Sequence, residues 1–170
     1  MNPTGRLQGD DLVLTRTFRA PIDDVWASIT ESDRTARWYG PWRGEPGAGR
    51  TIEVQMIHEE CAPWTDMTIE ACEPPRRLAL SSGNGWHLEL DLSFAAGVTE
   101  LVFTQHRIKP EEAGEIGPGW EFYLDALVAS REDRPLPDFA DYYPAMKDHY
   151  SGDRASRGES AGPNASEPTG

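Results

Sequence analysis

The sequence has few of the features that define several common protein classes. Its 170 residues include only two cysteines, Cys61 and Cys72, too few for a secreted scaffold held by disulfides. No apolar run approaches the roughly 20 residues that span a bilayer, and no apolar segment follows Arg6 near the N-terminus. We therefore expect no membrane helix, no secretory signal peptide, a cytoplasmic location and free thiols at both cysteines.

Positive charge is scarce. Sixteen lysines and arginines oppose 29 acidic residues, which gives a net charge of −13. The densest basic clusters, Arg34 with Arg37 and Arg76 with Arg77, hold two charges each. Such a chain repels the phosphates of nucleic acids and of anionic lipid headgroups. The sequence therefore predicts neither nucleic acid nor membrane as a partner.

Motifs that carry catalysis or bind metals are also missing. The Gly-x-Ser-x-Gly elbow does not occur, and the glycine-rich residues 44–49 lack the spacing and the lysine of a phosphate-binding loop. Residues 58–61 (HEEC) contain groups that can ligate metals, but neighbouring residues on a strand point to opposite faces. The sequence therefore predicts no catalytic residue, no cofactor and no metal site.

The sequence does contain the alternating pattern of an antiparallel sheet. Residues 12–18 predict a first strand, Pro21 opens an amphipathic helix, and Ser32 is the expected N-cap of a short second helix that ends at Trp38. Short turns separate the later strands, which is typical of antiparallel neighbours. Period-2 alternation predicts these strands at 50–58, 65–73, 76–81, 86–94 and 100–105.

One long helix is left to cover a face of this sheet. Apolar residues at helical spacing predict it over 120–129, after a glycine-rich hinge at 114–119. Strands segregated from helices favour an α+β fold. We expect one domain at 12–130, a Pro/Tyr-rich arm at 131–150 that packs on the domain or on a partner, and a disordered tail at 151–170.

Four segments resemble landmarks of the START/Bet v 1-like (SRPBCC) superfamily, in the same order along the chain. They are residues 20–26 (APIDDVW), 36–41 (ARWYGP), 73–78 (EPPRRL) and 117–127 (GPGWEFYLDAL). The branch that they resemble most comprises single-domain homologues of the activator of the heat-shock-protein-90 ATPase. The resemblance implies a helix-grip fold, in which a curved antiparallel sheet wraps around the C-terminal helix and leaves a cavity between them. The superfamily includes lipid carriers, hormone receptors and polyketide cyclases, so the fold does not choose the function.

Strand alternation predicts which side chains face that cavity. The inward set is almost entirely apolar and includes Ala71 and Phe94. A concave, apolar surface with few polar groups is typical of a small-molecule site, although the same residues would also serve as a filled core. The candidate ligand-binding residues are Trp38, Trp42, Met56, His58, Met67, Trp86, Leu88, Phe103, Gln105, Trp120, Tyr123, Leu124 and Leu127.

Few polar side chains accompany this set. His58 lies on the inward parity, where it can bind a ligand carbonyl or act as an acid or base near neutral pH. Gln105 and Tyr123 are candidates to orient a polar end of the ligand. Glu121 flanks the apolar stripe of the helix and is a further candidate anchor in the cavity.

Three functions remain open on this evidence. The leading hypothesis is non-catalytic binding of a small hydrophobic molecule between the sheet and the C-terminal helix. The second is a chaperone-associated or stress-response module that uses the tyrosine-rich arm to contact a protein partner. The third is an enzyme of the polyketide cyclase or aromatase type, with His58, Tyr123 or Glu121 as acid and base.

Overall fold

A single antiparallel sheet dominates the computed structural model, which describes residues 2–152. The strands in this range are β1 (Arg6–Gln8), β2 (Asp11–Phe18), β3 (Trp42–Arg43), β4 (Thr51–Gln55), β5 (Trp64–Glu73), β6 (Arg77–Ser82), β7 (His87–Ala95) and β8 (Val98–His106). The helices are α1 (Ile22–Thr30), α2 (Ser32–Thr35), α3 (Ala113–Arg131) and α4 (Lys147–Gly152), with a 3-10 turn at Phe139–Asp141. No helix within 2–152 is both long and apolar enough to cross a membrane.

The order of the strands follows from short connections. The sheet runs β1-β2-β8-β7-β6-β5-β4-β3 with antiparallel pairing throughout, so each strand from β3 to β7 lies beside the next strand in sequence. The first long strand, β2, pairs with the last strand, β8, and Leu14 lies opposite Phe103. Helix α3 packs on the concave face, where the Trp120 ring centroid lies 4.2 Å from that of Phe103. This is the expected α+β helix-grip fold, with two short helices after the first long strand.

Helix α3 is continuous, so the predicted glycine hinge is wrong. The helix begins at Ala113 and runs through Pro118 without interruption. Its early glycines are needed for close packing rather than for bending, because a Cβ at Gly117 would overlap the ring of Tyr150 and one at Gly114 would meet α4. The helix therefore presents one face to the sheet and the opposite face to the C-terminal segment.

The Pro/Tyr-rich arm packs on the domain itself. Tyr142, Met146 and Tyr150 are buried, each less than 4% exposed, and the Tyr142 hydroxyl donates to Asp125 Oδ2 at 2.8 Å. The tail predicted at 151–170 lies outside the described residues from 153 onward, and its first two residues complete α4. The structure also contains strand β1, which lies before the expected domain start at residue 12. The sequence did not predict this strand, because three residues are too few to show a clear alternation.

A bulge in β5 reverses the predicted parity at its end. Ile69 pairs with Leu80 and Ala71 with Ala79, so Glu70 is an extra residue in this strand. A one-residue insertion moves every later side chain to the other face. The prediction that Ala71 faces inward is therefore wrong, and Cys72 takes its place.

Alternation does not set side-chain direction beyond the ends of strands, and the parity prediction for Phe94 is wrong. Strand β4 stops at Gln55, so Met56 and His58 lie in the following turn and their direction is set by that turn. Phe94 was expected inside, yet it is 47% exposed, because it lies near the tip of the β7–β8 hairpin. Alternation predicts direction only where the strand and its covering helix both continue.

Candidate functional site

An apolar space lies between the sheet and α3, and we call it the inner cavity. Its volume is about 130 Å³. Strands β4 to β8, helix α3 and the segment from α1 to β3 contribute almost exclusively apolar side chains. The lining residues are Ile29, Thr30, Thr35, Trp38, Tyr39, Gly40, Trp42, Pro46, Ile52, Val54, Met67, Ile69, Cys72, Leu78, Leu80, Leu88, Leu90, Phe103, Trp120 and Leu124.

The two tryptophans on the α1–β3 side are held by hydrogen bonds to backbone carbonyls. Trp38 Nε1 donates to the Ser28 carbonyl at 2.9 Å, and Trp42 Nε1 donates to the Thr30 carbonyl at 2.8 Å. Ser32 is the first residue of α2 rather than its predicted N-cap, because its hydroxyl bonds both the backbone N–H and the carbonyl of Trp42. With their polar atoms satisfied, these rings offer only apolar surface to the cavity.

Helix α3 closes the cavity from the other side with Trp120 and Leu124. Trp120 Nε1 donates to Gln105 Oε1 at 2.6 Å, which fixes the indole against the sheet. Gln105 is 2% exposed and lies outside the cavity lining. Its amide therefore positions Trp120, and the expectation that it orients a ligand is not met by this geometry.

A second space lies on the far side of Trp120, and we call it the outer cleft. Its volume is about 300 Å³. The turn after β4, the start of β7, helix α3 and the arm form its walls. The lining residues are Met56, His58, Glu59, Trp86, Glu115, Ile116, Gly119, Trp120, Phe122, Tyr123 and Phe139.

A hydroxyl–carboxylate pair lies in the outer cleft. The Tyr123 hydroxyl donates to Glu59 Oε1 at 3.1 Å, and the exposed His58 ring packs edge-on against Phe122 at 5.1 Å. Burial, and then the charge of Glu59, raises the pKa of Tyr123, and the same two causes raise that of Tyr39. Both phenols are therefore protonated at neutral pH, and Tyr123 acts as the hydrogen-bond donor to Glu59.

The candidate residues separate into these two spaces, with Trp120 as the wall between them. The candidate residues that line the inner cavity are Trp38, Trp42, Met67, Leu88, Phe103, Trp120 and Leu124. The outer cleft receives Met56, His58, Trp86, Tyr123 and the other side of Trp120. Leu127 is fully buried in the core and lines neither space.

Among the lining residues that were absent from the candidate set, four show why sequence reasoning missed them. Cys72 was hidden by the β5 bulge, and Glu59 lies in a turn where alternation carries no information. Tyr39 belongs to the resemblance segment 36–41, in which only Trp38 had been selected. Phe139 comes from the Pro/Tyr-rich arm, where nothing in the sequence distinguishes it from the neighbouring tyrosines.

Glu121 faces away from both spaces, so its expected role as a cavity anchor is wrong. It is 1% exposed and accepts hydrogen bonds from Thr4 N and Oγ1, Gly5 N, Arg16 Nη2 and the Tyr150 hydroxyl. Burial raises the pKa of this carboxyl, but the hydrogen bonds, that from Tyr150 foremost, outweigh burial and hold it below its ordinary value. Glu121 therefore joins both ends of the described chain to α3.

Solved structures with the same architecture include three that cover much of this chain. CalU16 from Micromonospora echinospora has a TM-score of 0.68 at 23% identity, over 89% of this chain and 94% of that chain. The protein encoded by gene BPP1335 from Bordetella parapertussis has a TM-score of 0.67 at 25% identity, over 91% of each chain. DynU16, from the dynemicin biosynthetic locus, has a TM-score of 0.66 at 20% identity, over 78% of this chain and 51% of that one.

A comparison with curated proteins finds no match. The family model described as activator of Hsp90 ATPase homolog 1-like protein matches residues 19–131. This range begins just before α1 and ends with the last residue of α3, so it contains the walls of the inner cavity. The chain therefore belongs to the activator of Hsp90 ATPase homolog 1-like family.

Proposed function

We propose that the protein binds a small hydrophobic molecule in the inner cavity without transforming it. The observation that carries the proposal is the cavity itself: a space with an apolar lining whose three tryptophan N–H groups are already bonded to protein oxygens. A filled core would leave no such volume. The proposal includes a cytoplasmic location, as expected from the sequence.

The size of the cavity limits the buried part of the ligand to about one ring. A cavity of about 150 Å³ lined by aliphatic and aromatic side chains holds benzene, and the inner cavity measures about 130 Å³. A phenyl group that loses roughly 150 Å² of surface at about 25 cal/mol per Å² gains about 4 kcal/mol. Because association also costs translational and rotational freedom, the phenyl group alone binds no more tightly than a Kd of about 1 mM. A natural ligand therefore needs further contacts outside the cavity.

Two of the structural relatives support a small-molecule role. DynU16 is described as a protein of the dynemicin biosynthetic locus, and CalU16 has the same architecture at similar identity. At this level of identity the likeness concerns the fold. It supports the proposal through the fold and leaves the choice of ligand to the lining residues.

A pair of phenylalanine substitutions on β5 tests the proposal. Cys72 lines the cavity, whereas Ala71 lies on the opposite face of the same strand. With 3-phenylpropanol as the probe in titration calorimetry, we expect Cys72→Phe to weaken binding at least tenfold and Ala71→Phe to bind like the parent. Equal binding by both variants, each shown to be folded by circular dichroism, would place the probe elsewhere.

The chain also provides an internal reporter of occupancy. Cys61 is exposed and Cys72 is half-buried in the cavity wall, so a Cys61→Ser variant leaves a single thiol at the site. Saturating 3-phenylpropanol should slow the reaction of Cys72 with a thiol reagent in the folded protein and leave the rate unchanged in urea. An unchanged rate in the folded protein would contradict occupancy of this cavity.

One observation favours an enzymatic role as the second candidate. The Tyr123–Glu59 pair and the ring of His58 meet in the outer cleft, where a proton donor and acceptor would serve a cyclase-type reaction. Of the acid–base candidates, Glu121 is excluded by its position. Turnover that collapses in Tyr123→Phe while ligand binding survives would favour this reading over simple binding.

The interaction-module hypothesis has less support from the arm. Tyr142 and Tyr150 are buried against the domain and are not available to a partner, while Leu136 and Phe139 remain exposed. A protein partner at the arm would therefore contact mainly these two side chains. A Leu136→Ser/Phe139→Ser variant that loses a co-purifying protein but retains 3-phenylpropanol binding would favour the module.

A further inference from the structure

The outer cleft combines negative charge with aromatic surface. Glu59 and Glu115 both line it, and no lysine or arginine does so within residues 2–152. The net charge of the whole chain, −13, adds to the same potential. A bound group in this cleft therefore faces two carboxylates and no lysine or arginine of the described cleft walls.

Aromatic rings line the same cleft as these carboxylates. The Trp86 and Trp120 centroids are 6.1 Å apart with planes inclined by 56°, and Tyr123 lies 5.7 Å from Trp120. Phe139 of the arm closes the opposite side, edge-on to Phe122 at 5.6 Å. Aromatic rings attract organic cations that lie over their faces, so a cleft lined by several such rings favours an organic cation.

We propose that the outer cleft binds the protonated amine of a ligand whose apolar part occupies the inner cavity, so that the ligand class is a hydrophobic amine. The proposal rests on the proposed function and names its ligand class. Trp120 lines both spaces, and in the proposed complex a short alkyl chain passes the edge of its ring and connects the two groups. The ammonium then lies beside Glu59, and the Tyr123 hydroxyl holds that carboxylate in place.

The field of Glu59 also reaches the residues of the inner cavity. Its charge raises the pKa of Tyr123 and contributes to the raised pKa of Tyr39, after burial in both cases. Tyr39 lines the inner cavity, so the charge of Glu59 is also felt on the inner side of Trp120. A carboxylate or phosphate end group would be repelled by that same charge.

A matched series of three probes tests the proposal. 3-Phenylpropylamine, 3-phenylpropanol and 3-phenylpropanoate share one apolar body and differ in the charge of the end group. In titration calorimetry at neutral pH and low salt we expect the amine to bind about tenfold more tightly than the alcohol, and the carboxylate to bind most weakly. A tenfold preference corresponds to about 1.4 kcal/mol.

Glutamine variants assign the preference to the cleft. Glu59→Gln keeps an acceptor for the Tyr123 hydroxyl but removes the charge, so it should reduce the amine-to-alcohol preference to less than about threefold. Glu60→Gln alters the adjacent exposed residue, which does not line the cleft, and should leave the preference unchanged. A preference that survives Glu59→Gln, or that falls equally in Glu60→Gln, would overturn the assignment.

The outcomes distinguish the amine proposal from the proposed binding of a hydrophobic molecule in the inner cavity. Alcohol binding that Cys72→Phe abolishes, with no added affinity for the amine, would refute the amine class and leave the proposed function intact. Loss of binding for all three probes would contradict both. Nα-acetyl-lysine amide carries the ammonium without the ring, and equally tight binding of this compound would refute the link to the inner cavity.

Discussion

Glu121→Gln is the substitution that tests most sharply how the ends of the chain are held. The glutamine keeps the size of the side chain but converts one carboxylate oxygen into an NH₂ donor. Oε1 accepts from Thr4 N, Gly5 N and the Tyr150 hydroxyl, whereas Oε2 accepts from Thr4 Oγ1 and Arg16 Nη2. The amide oxygen should therefore take the Oε1 position, and its NH₂ group then faces Arg16.

The expected loss follows from this geometry. Arg16 loses one charge-assisted hydrogen bond, worth about 1.5–3 kcal/mol, although it retains Asp125 at 2.9 Å. The bonds at the Oε1 position become weaker because their acceptor is no longer charged. We expect the free energy of unfolding to fall by about 3 kcal/mol, at the lower end of the range for breaking a buried ion pair from one side.

Urea unfolding at several pH values is the assay, with exposed Glu111→Gln as the control. Because the folded-state pKa of Glu121 lies below its ordinary value of 4.5, its contribution is present above pH 4.5 and is lost as the pH falls through the folded pKa. The difference between parent and Glu121→Gln should be full at pH 7 and should shrink below about pH 4.5. A loss under about 0.5 kcal/mol at pH 7, or one that does not shrink in acid, would refute the role of this carboxylate.

The remaining predictions concern α3. Gly117→Ala should lower the free energy of unfolding by about 1–3 kcal/mol, because the added Cβ overlaps the ring of Tyr150. Gly119→Ala should raise it by up to about 1 kcal/mol, because the added Cβ meets no atom within 4 Å. Urea unfolding of both variants measures the difference. Trp120→Phe should cost about 1–3 kcal/mol beyond its lost volume, since it strands the buried Gln105 oxygen. The Trp120→Phe/Gln105→Leu double variant should regain part of that loss in a double-mutant cycle, and strict additivity would contradict the hydrogen bond.

Much of the fold was accessible from the sequence because one physical rule governs most of it. Strands with one buried face alternate in polarity, so the period-2 pattern located β5 to β8 to within two residues at each end. The rule fails where something other than burial sets the backbone. The extra residue Glu70 in β5 cannot be recognised from the pattern of polar and apolar residues. The prediction of a hinge before Trp120 was wrong because glycine also permits close helix packing.

The candidate site was less accessible, for related reasons. Its apolar wall follows from alternation and helical spacing, which is why residues such as Phe103 and Leu124 were selected. Its polar features depend on long-range contacts: Glu59 meets Tyr123 from 64 positions away, and Phe139 reaches the cleft only because the arm folds back on α3. Glu121 was placed wrongly for a similar reason. A carboxylate beside the apolar stripe of a helix has the same sequence pattern whether it faces a cavity or forms a buried ion pair.

The central claim is that an apolar group is held between the sheet and α3. Nuclear Overhauser contacts from the ring protons of bound 3-phenylpropylamine test it most directly, because they report which side chains touch the ring. We expect contacts to the methyl groups of Leu90 and Leu124, which line the inner cavity, and to the indole of Trp120. Contacts confined to exposed side chains such as Ile57 and Phe94 would contradict it.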